Sequence, residues 1–372
     1  MWAMVVKEFR QLRRDRRTLA MMILLPVVLL IVFGYAASFD VDSIPTRVFG
    51  PDAERVADSL TAPFDVDEVD PDGTRSDAEA DLRDARAAAA VVTGGDSGTE
   101  GGDRTGDGGV TVLLDGAELF TANAARTALA SQVAANPEAP ESAVAVDVLF
   151  NEDLDTSAVM VPGLAGLILL FVGTVITSLG VVRERQAGTL EQLAVMPLRP
   201  RDVFLGKIAP YFLVATLDLL LVLGVGVPLF DVPFRGSVVV LALGALLFLF
   251  VTLGMGVLIS TVSQNQGQAI QLAIMTLLPQ VLLSGLIFPL ASMAAGVRWI
   301  SYLLPLTYFT QISRGVMIRG TGLTALGQPF LFLALLGVVV VTLATLRFRR
   351  DLAPAPPRRP RDPRGARALE PA

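Results

Sequence analysis

Residues 158–182 read AVMVPGLAGLILLFVGTVITSLGVV, a run without a single charged side chain. A helix needs about 20 apolar residues to cross the hydrocarbon core of a bilayer, so this run predicts a membrane span. Its glycines and Pro162 would weaken a soluble helix, but spanning helices tolerate them because lipid forces the backbone to bond internally. The chain is therefore predicted to be an α-helical integral membrane protein.

Other apolar runs extend this prediction along the chain. They lie at residues 19–37, 208–230, 237–260, 269–290 and 329–346, which gives six predicted spans. The 372 residues are 52% hydrophobic and 18% charged, and the mean hydropathy is +0.58, as expected of a multi-spanning protein. For the first run a cleaved signal peptide is the alternative, but the long basic leader and the full span length favour an uncleaved span.

The basic residues predict which segments face the cytoplasm. Residues 1–18, the loop 183–207 and the tail 347–372 are rich in arginine, and an even number of spans places all three on one side. We expect a protein of the plasma membrane with both termini in the cytoplasm. Three arginines on the predicted outer side oppose the rule: Arg298, Arg314 and Arg319.

The two terminal segments are expected to contact lipid. Residues 1–18 place apolar side chains at helical spacing opposite Lys and Arg, which predicts a helix in the inner membrane interface. The alternative is a basic leader that only fixes the orientation of the first span. The Pro-rich tail 347–372 is predicted to be disordered and to attract anionic lipid rather than nucleic acid.

Residues 38–157 are predicted to form an extracellular α/β domain inserted between the first and second spans. Its predicted strands are 46–49, 87–93, 110–114 and 144–150, and its predicted helices are 53–60, 76–86 and 117–134. Residues 94–109, rich in Gly and Asp, are expected to be a disordered insert. Asp103 and Asp107 lack the spacing of a calcium loop, which favours a solvated acidic surface.

The composition excludes much enzyme chemistry. The chain has no Cys and no His, which rules out a disulfide, a thiol nucleophile, a Cys/His zinc site and an imidazole base. It also has no G-x-x-x-x-G-K-[ST] loop to hold nucleotide phosphates. No catalytic residue, metal or cofactor is predicted on this chain. Its pI near 4.9 and its use of Arg, with Lys7 and Lys207 as the only lysines, resemble proteins of salt-loving microbes.

The loop 183–207 contains a predicted short helix. Thr189 can cap it, Pro197 ends it, and Leu190 and Leu193 share one face. An apolar face on a cytoplasmic helix indicates a docking partner, although a plain tight turn between spans is the alternative.

Polar side chains inside predicted spans are candidate functional groups. Asp218 lies in the third span, where an unpaired carboxylate is costly, and Gln271 and Gln280 lie in the fifth. We expect all three to face other helices or a cavity, either as structural groups or as substrate contacts.

The order of motifs resembles a known family, the permeases of ATP-binding cassette (ABC) exporters of the type-2 class, in the branch with a large domain between the first two spans. The motifs are KEFRQLRRD at 7–15, VPGL at 161–164, the loop 183–200, SGLIFP at 284–289, LPLTYF at 304–309 and RG at 314–315. They cover essentially the whole chain.

The resemblance implies a transport subunit that moves a drug-like, lipid or polymer substrate out of the cell. A separate ATPase in two copies would hold the ATP and Mg²⁺, and a second permease copy or a close paralogue would complete the unit. The loop 183–207 would carry the coupling helix that docks on the ATPase. The positions carried over to this helix are Glu184, Gly188, Thr189, Leu190, Glu191, Leu193 and Pro197.

The resemblance also implies that residues 291–320 form a re-entrant segment that closes the outer end of the pathway. Pro289, Pro305 and Tyr308 would shape this gate. A plain aromatic belt at the membrane boundary is the alternative.

Two other functions compete with export. A secondary transporter should have several intramembrane carboxylates and an inverted repeat, whereas only Asp218 is available and the two halves of the chain differ. A membrane-anchored sensor could use the outer domain to bind a ligand, but the sequence contains no cytoplasmic signalling domain.

Overall fold

The computed structural model describes residues 41, 43–94, 109–135, 144–187 and 200–351. The predicted interfacial helix, the first predicted span, most of the predicted insert and all but the start of the tail lie outside these residues.

The first part of the described chain is an α/β domain, here called the sheet domain, which ends at Asp155. Its elements are β1 (Ile44–Phe49), α1 (Ala53–Ser59), β2 (Phe64–Asp70), α2 (Arg75–Arg83), β3 (Ala89–Thr93), β4 (Val110–Asp115), α3 (Leu119–Ala135) and β5 (Val144–Leu149). The strands lie in the order β2-β1-β3-β4-β5, and only the β3–β4 pair is antiparallel. Parallel neighbours require crossover connections, which the three helices supply.

Strand β2 is an addition to the predicted strands. Its sequence FDVDEVD exposes Asp65, Asp67 and Glu68 and buries only Phe64 completely. Because β2 is an edge strand, water reaches its outer side and acidic residues are tolerated there. The apolar signal of an isolated strand is therefore too weak to separate it from a solvated loop.

The second part of the described chain is a bundle of helices. In chain order they are α4 (Thr156–Phe171), a π-helical turn (Val172–Ile176), α5 (Thr177–Gln186), α6 (Pro200–Leu229), α7 (Val238–Val262), α8 (Gln266–Leu283), α9 (Ala295–Ser301), α10 (Pro305–Arg314), a second π-helical turn (Gly315–Arg319) and α11 (Gly327–Asp351). The segments Thr156–Gln186, Ala209–Leu229, Val238–Val262 and Gly327–Arg347 are long and apolar enough to cross a membrane. They coincide with four of the six predicted spans.

Helix α8 differs from the predicted span at 269–290. It ends at Leu283, and the chain then turns through Gly285, whose φ of +82° favours glycine. Pro289 follows and starts a short 3-10 turn, Leu290–Ser292. These two residues stop the apolar run from continuing as one helix.

Helix α10 lies inside the bundle. Every residue of α10 except Gln311 is buried, and Pro305 occupies its first turn, where the missing N–H costs nothing. Phe309 stacks on Phe248 of α7 with ring centroids 4.6 Å apart. The segment 305–314 is therefore a core element of the bundle and holds its polar side chains in fixed positions.

Candidate functional site

One end of the bundle carries the start of the predicted coupling loop. Arg185 donates from Nη1 to the carbonyl oxygen of Ser263 at 2.9 Å, and Gln266 donates from Nε2 to Oε1 of Gln186 at 3.0 Å. The end of α5 and the turn between α7 and α8 therefore lie side by side.

The opposite end of the bundle is joined to the sheet domain by four buried or half-buried charged residues, here called the junction cluster: Asp115, Glu118, Arg314 and Arg319. Arg319 contacts Oδ2 of Asp115 through Nη2 at 2.6 Å and Nε at 2.8 Å, and its Nη2 is 3.2 Å from Oε1 of Glu118. Arg314 is more loosely paired, with Nη1 3.7 Å from Oε2 of Glu118.

Local structure fixes both sides of this cluster. Asp115 ends strand β4, and its second carboxylate oxygen accepts from the Ala117 N–H at 2.9 Å. Glu118 lies just before α3. On the other side, Arg319 ends the second π-helical turn, and Gly320 follows with a φ of +71° that turns the chain back toward the sheet domain.

Two further contacts reinforce the junction. Thr321 donates its hydroxyl to the carbonyl oxygen of Arg83 at 2.7 Å. The side chain of Asn151 donates to the carbonyl oxygens of Gly116, at 3.2 Å, and Asp155, at 3.1 Å, while the carboxylate of Asp155 caps α4. The sheet domain is thus held both to the start of α4 and to the turn after α10.

Burial and the nearby opposite charges shift the pKa values of these groups in opposite directions. Burial raises the pKa of Asp115, and the nearby Arg319 opposes that rise. Burial acts to lower the pKa of Arg319, but Asp115 and Glu118 outweigh it, so the pKa of Arg319 is raised. Burial lowers the pKa of Arg314, and Glu118 compensates only in part. Arg319 is therefore a firmly held cation, whereas the charge of Arg314 is poorly compensated.

A cavity of about 980 Å³ lies beside the junction cluster. The sheet domain, the turn after α8, helix α10 and the start of α11 all contribute to its walls. Its polar lining includes Ser284 and Gln311, and its apolar lining includes Phe332 and Leu335. The volume is that of pockets that hold drug-sized molecules.

Comparison with known proteins decides the family. A family model described as "ABC-2 family transporter protein" matches residues 16–346. The chain belongs to the ABC-2 transporter family. It is 30% identical over 366 residues to the "Probable multidrug ABC transporter permease YbhS" of Escherichia coli (strain K12), covering 94% of this chain and 97% of the relative.

Two further relatives agree with this assignment. The "Probable multidrug ABC transporter permease YbhR" of the same strain is 26% identical over 364 residues, covering 95% of this chain and 99% of the relative. The "Inner membrane transport permease YhhJ" is 34% identical over 207 residues, which is 55% of this chain and 54% of the relative. The predicted resemblance and the predicted role as an ABC exporter permease are confirmed.

The structure places two of the three predicted gate residues of this ABC-2 permease in the wall of the cavity. Pro289 and Tyr308 line it, and Pro305 is buried at the start of α10. The Tyr308 hydroxyl donates to the carbonyl oxygen of Tyr302 at 2.6 Å, and its ring stacks on Phe332 with centroids 5.6 Å apart. Their role in gating stays a prediction.

The predicted intramembrane polar residues are dispersed. Gln280 is fully buried, and its Oε1 accepts from the Leu306 N–H at 3.4 Å, which links α8 to α10. Gln271 and Asp218 are half-buried. Asp218 makes no hydrogen bond or ion pair to the part of the chain that the structure describes. The choice between structural role and substrate contact stays open for these residues.

Of the predicted coupling positions, only Glu184 is described, and it is half-buried near the end of α5. The other predicted coupling positions lie outside the described residues: Gly188, Thr189, Leu190, Glu191, Leu193 and Pro197.

Several residues at the junction are absent from the sequence-based candidates. Asp115, Glu118 and Ser284 are among them, and Arg314 and Arg319 stand out in the sequence only as exceptions to the charge rule. The available signal is the pair of arginines itself, because arginine in an apolar segment demands an acid partner. The sequence does not say which of the many acids supplies it.

Proposed function

We propose that this chain is the membrane-spanning permease of a multidrug ABC exporter, driven by a separate ATPase. The observation that carries the proposal is the family match over residues 16–346, together with relatives of nearly equal length named as probable multidrug ABC transporter permeases. By analogy with ABC exporters, two ATPase copies and a second permease copy complete the unit. The sequence has no G-x-x-x-x-G-K-[ST] loop, so in this proposal the ATPase binds the nucleotide.

In this proposal the chain has six spans, with the first at 19–37 and the sheet domain outside the cell between spans one and two. The bundle end that carries Arg183 and Arg185 faces the cytoplasm, since basic residues are retained on that side. The junction cluster and the cavity then lie at the outer end. The coupling loop and the cavity are therefore at opposite ends of the bundle.

A single helical segment connects the two ends. Thr156–Gln186 comprises 31 residues, which at 1.5 Å per residue corresponds to a length of about 46 Å. It begins at the Asp155 cap, which is tied to the sheet domain through Asn151, and ends at the loop that would dock on the ATPase. A displacement applied at this loop would enter the bundle along a continuous helical segment rather than through a flexible linker.

The π-helical turn Val172–Ile176 is the place where this segment can adjust. A π-helical turn shifts the backbone hydrogen bonds from i→i+4 to i→i+5, and such turns occur often at functional sites. Gly173 and Thr174 of this turn are buried in the bundle. We expect the cytoplasmic half of the segment to move with the ATPase while the outer half stays fixed to the sheet domain.

The test uses the permease and its ATPase reconstituted in vesicles. Glu191→Arg reverses a charge on the predicted coupling helix and should lower ATP-driven transport of a fluorescent drug at least tenfold, while the complex still inserts in the membrane. Glu191→Gln, which keeps the shape of the side chain, is the matched control and should retain most transport. Full transport by both Glu191→Arg and the bulky variant Gly188→Trp would contradict the proposal.

A further inference from the structure

The cavity beside the junction cluster has two chemically different sides. Its apolar wall includes Phe332 and Leu335 of α11, which are 39% and 57% exposed and lie in a helix able to span a membrane. Its polar side is formed by the sheet domain, the turn after α8 and helix α10. A cavity that joins a membrane helix to a buried polar corner suits a molecule with one apolar and one polar end.

The charged residues that line the cavity are balanced in number but not in pairing. Three are acids (Asp84, Asp115 and Glu118) and three are arginines (Arg86, Arg314 and Arg319). Arg86 contacts Asp81 and Asp84 at 2.6 and 2.7 Å, and Arg319 contacts Asp115 at 2.6 Å. Among the described residues, Arg314 has one acid within ion-pair distance, Glu118 at 3.7 Å, and it shares this acid with Arg319. Arg314 is therefore the cation that a ligand could still pair with.

Two buried donors in this corner have no hydrogen-bond partner within the part of the chain that the structure describes. They are Nε of Arg314 and the hydroxyl of Ser284, in residues that are 6% and 1% exposed, and both residues line the cavity. The two belong to one corner, since Arg314 donates to the carbonyl oxygen of Leu286 at 3.1 Å and Thr310 donates to that of Ser284 at 3.3 Å. A buried polar group without a partner is costly, so the corner favours a ligand that supplies acceptors.

We propose that this cavity binds an anionic amphiphile, whose acid group accepts from Arg314 and Ser284 and whose apolar part lies along Phe332 and Leu335. The cavity volume of about 980 Å³ favours a single-chain or drug-sized acid. The proposal deepens the proposed function, since only the statement that the bound acid is exported rests on that function. Binding itself requires neither ATP nor an ATPase.

The opposing charge is Glu118, whose side chain is 35% exposed and faces the same corner. Its carboxylate already accepts from Arg319 and lies within reach of Arg314, so the incoming acid replaces a long contact of Arg314 and leaves the Arg319 pair in place.

The probe is 12-bromododecanoic acid, and its methyl ester is the neutral control. The full-length permease is placed in phosphatidylcholine nanodiscs with Trp2 and Trp299 replaced by Phe and with Leu335→Trp as the only indole. Bromine on the chain end quenches this indole when the chain lies along α11. We expect saturable quenching by the acid and at least tenfold weaker quenching by the ester, since the ester has no charge and cannot form the charge-assisted hydrogen bond to Arg314.

Variants test whether the acid group binds at Arg314 and Ser284. Arg314→Gln should weaken binding of the acid about tenfold, and Ser284→Ala should weaken it about threefold, as expected for the loss of a charge-assisted and a neutral hydrogen bond. Arg86→Gln removes a cation from the same lining that is already paired, and should leave binding unchanged. If Arg314→Gln fails to fold, Ser284→Ala and the comparison of acid with ester test the proposal in its place.

Equal quenching by acid and ester would overturn the proposal, as would an equal effect of Arg314→Gln and Arg86→Gln. A second arm adds phosphatidylglycerol to the nanodisc. Displacement of the probe by this lipid would identify a membrane lipid as the natural source of the acid group, and retention of the probe would favour a free single-chain acid. These measurements are made without ATPase, so their failure is distinct from a failure of the coupling test at Glu191.

Discussion

Arg319 and Asp115 form the tightest polar contact between the sheet domain and the bundle. The two side chains are 5% and 1% exposed and lie 204 positions apart in the sequence. Taking two charges out of water is expensive, and their attraction offsets that cost only while both are present. Removing one charge alone should therefore lower the free energy of unfolding far more than removing both.

Arg319→Gln should lower the free energy of unfolding by about 3 to 5 kcal/mol, because it leaves the Asp115 carboxylate buried without its cation. Thermal unfolding of the purified permease in detergent, followed by intrinsic fluorescence, measures the effect. The double variant Asp115→Asn with Arg319→Gln removes both charges and should lose less stability than Arg319→Gln alone.

The matched control is Arg55→Gln. Arg55 is 72% exposed and makes a surface pair with Asp52 at 3.2 Å, so its loss should change stability by less than about 0.5 kcal/mol. Equal melting temperatures for Arg319→Gln and Arg55→Gln would show that the buried pair contributes nothing to the junction.

At the scale of single residues the sequence shows which arginines break the charge rule, but it does not show which acids pair with them. Arg314 and Arg319 oppose the positive-inside rule, and the structure accounts for them by sequestering both against acids of the sheet domain. A charge rule counts residues along the chain, whereas the compensation here comes from residues brought together by the fold. The cavity next to them is equally invisible in the sequence, since it is a gap between elements.

At the scale of elements, the close approach of α7 to the π-helical turn stands out. A Cβ at Gly256 would meet the backbone oxygen of Gly173 and would lie 2.9 Å from the Cβ of Thr177. Backbone atoms cannot yield as a flexible side chain can. Small residues at such crossings let spanning helices pack through their backbones.

Gly256→Ala should destabilise the permease by about 1 to 3 kcal/mol, the usual cost of overpacking a filled core. Gly224→Ala in α6 is the matched control, because its added Cβ would meet nothing within 4 Å. Alanine is the better helix former by about 1 kcal/mol, so the control should be as stable as the parent chain or more stable. Thermal unfolding of both variants in the same detergent compares their stabilities. A Gly224→Ala variant less stable than Gly256→Ala would contradict this account.

The elements that sequence predicts best are those with a strong and continuous signal. The long apolar runs give four candidate spans close to their predicted limits, because burial in lipid requires apolar residues along the whole helix. The edge strand β2 is missed because its exposed acids Asp65, Asp67 and Glu68 mask the apolar alternation. The end of α8 at Leu283 depends on the backbone turn at Gly285, which a hydropathy average does not detect.

At the scale of the whole molecule, the described chain has two functional ends. At one end Arg185 and Gln186 contact Ser263 and the start of α8 at Gln266. At the other end Arg319 pairs with Asp115 of the sheet domain. The proposed exporter requires these ends to lie on opposite sides of the membrane. The charge distribution and the predicted count of six spans both favour a cytoplasmic position for the first end.

The absence of Cys from the sequence makes this arrangement directly testable, because a single introduced thiol is the only reactive one. Asp67→Cys places a thiol on the exposed edge strand of the sheet domain, and Gln264→Cys places one in the exposed turn beside α5. In intact cells a membrane-impermeant maleimide should label Asp67→Cys and spare Gln264→Cys, and both should react once the membrane is opened. The parent chain, which has no thiol, is the control for background. Labelling of Gln264→Cys in intact cells would place the arginine-rich end outside and would remove the coupling loop from reach of any cytoplasmic ATPase.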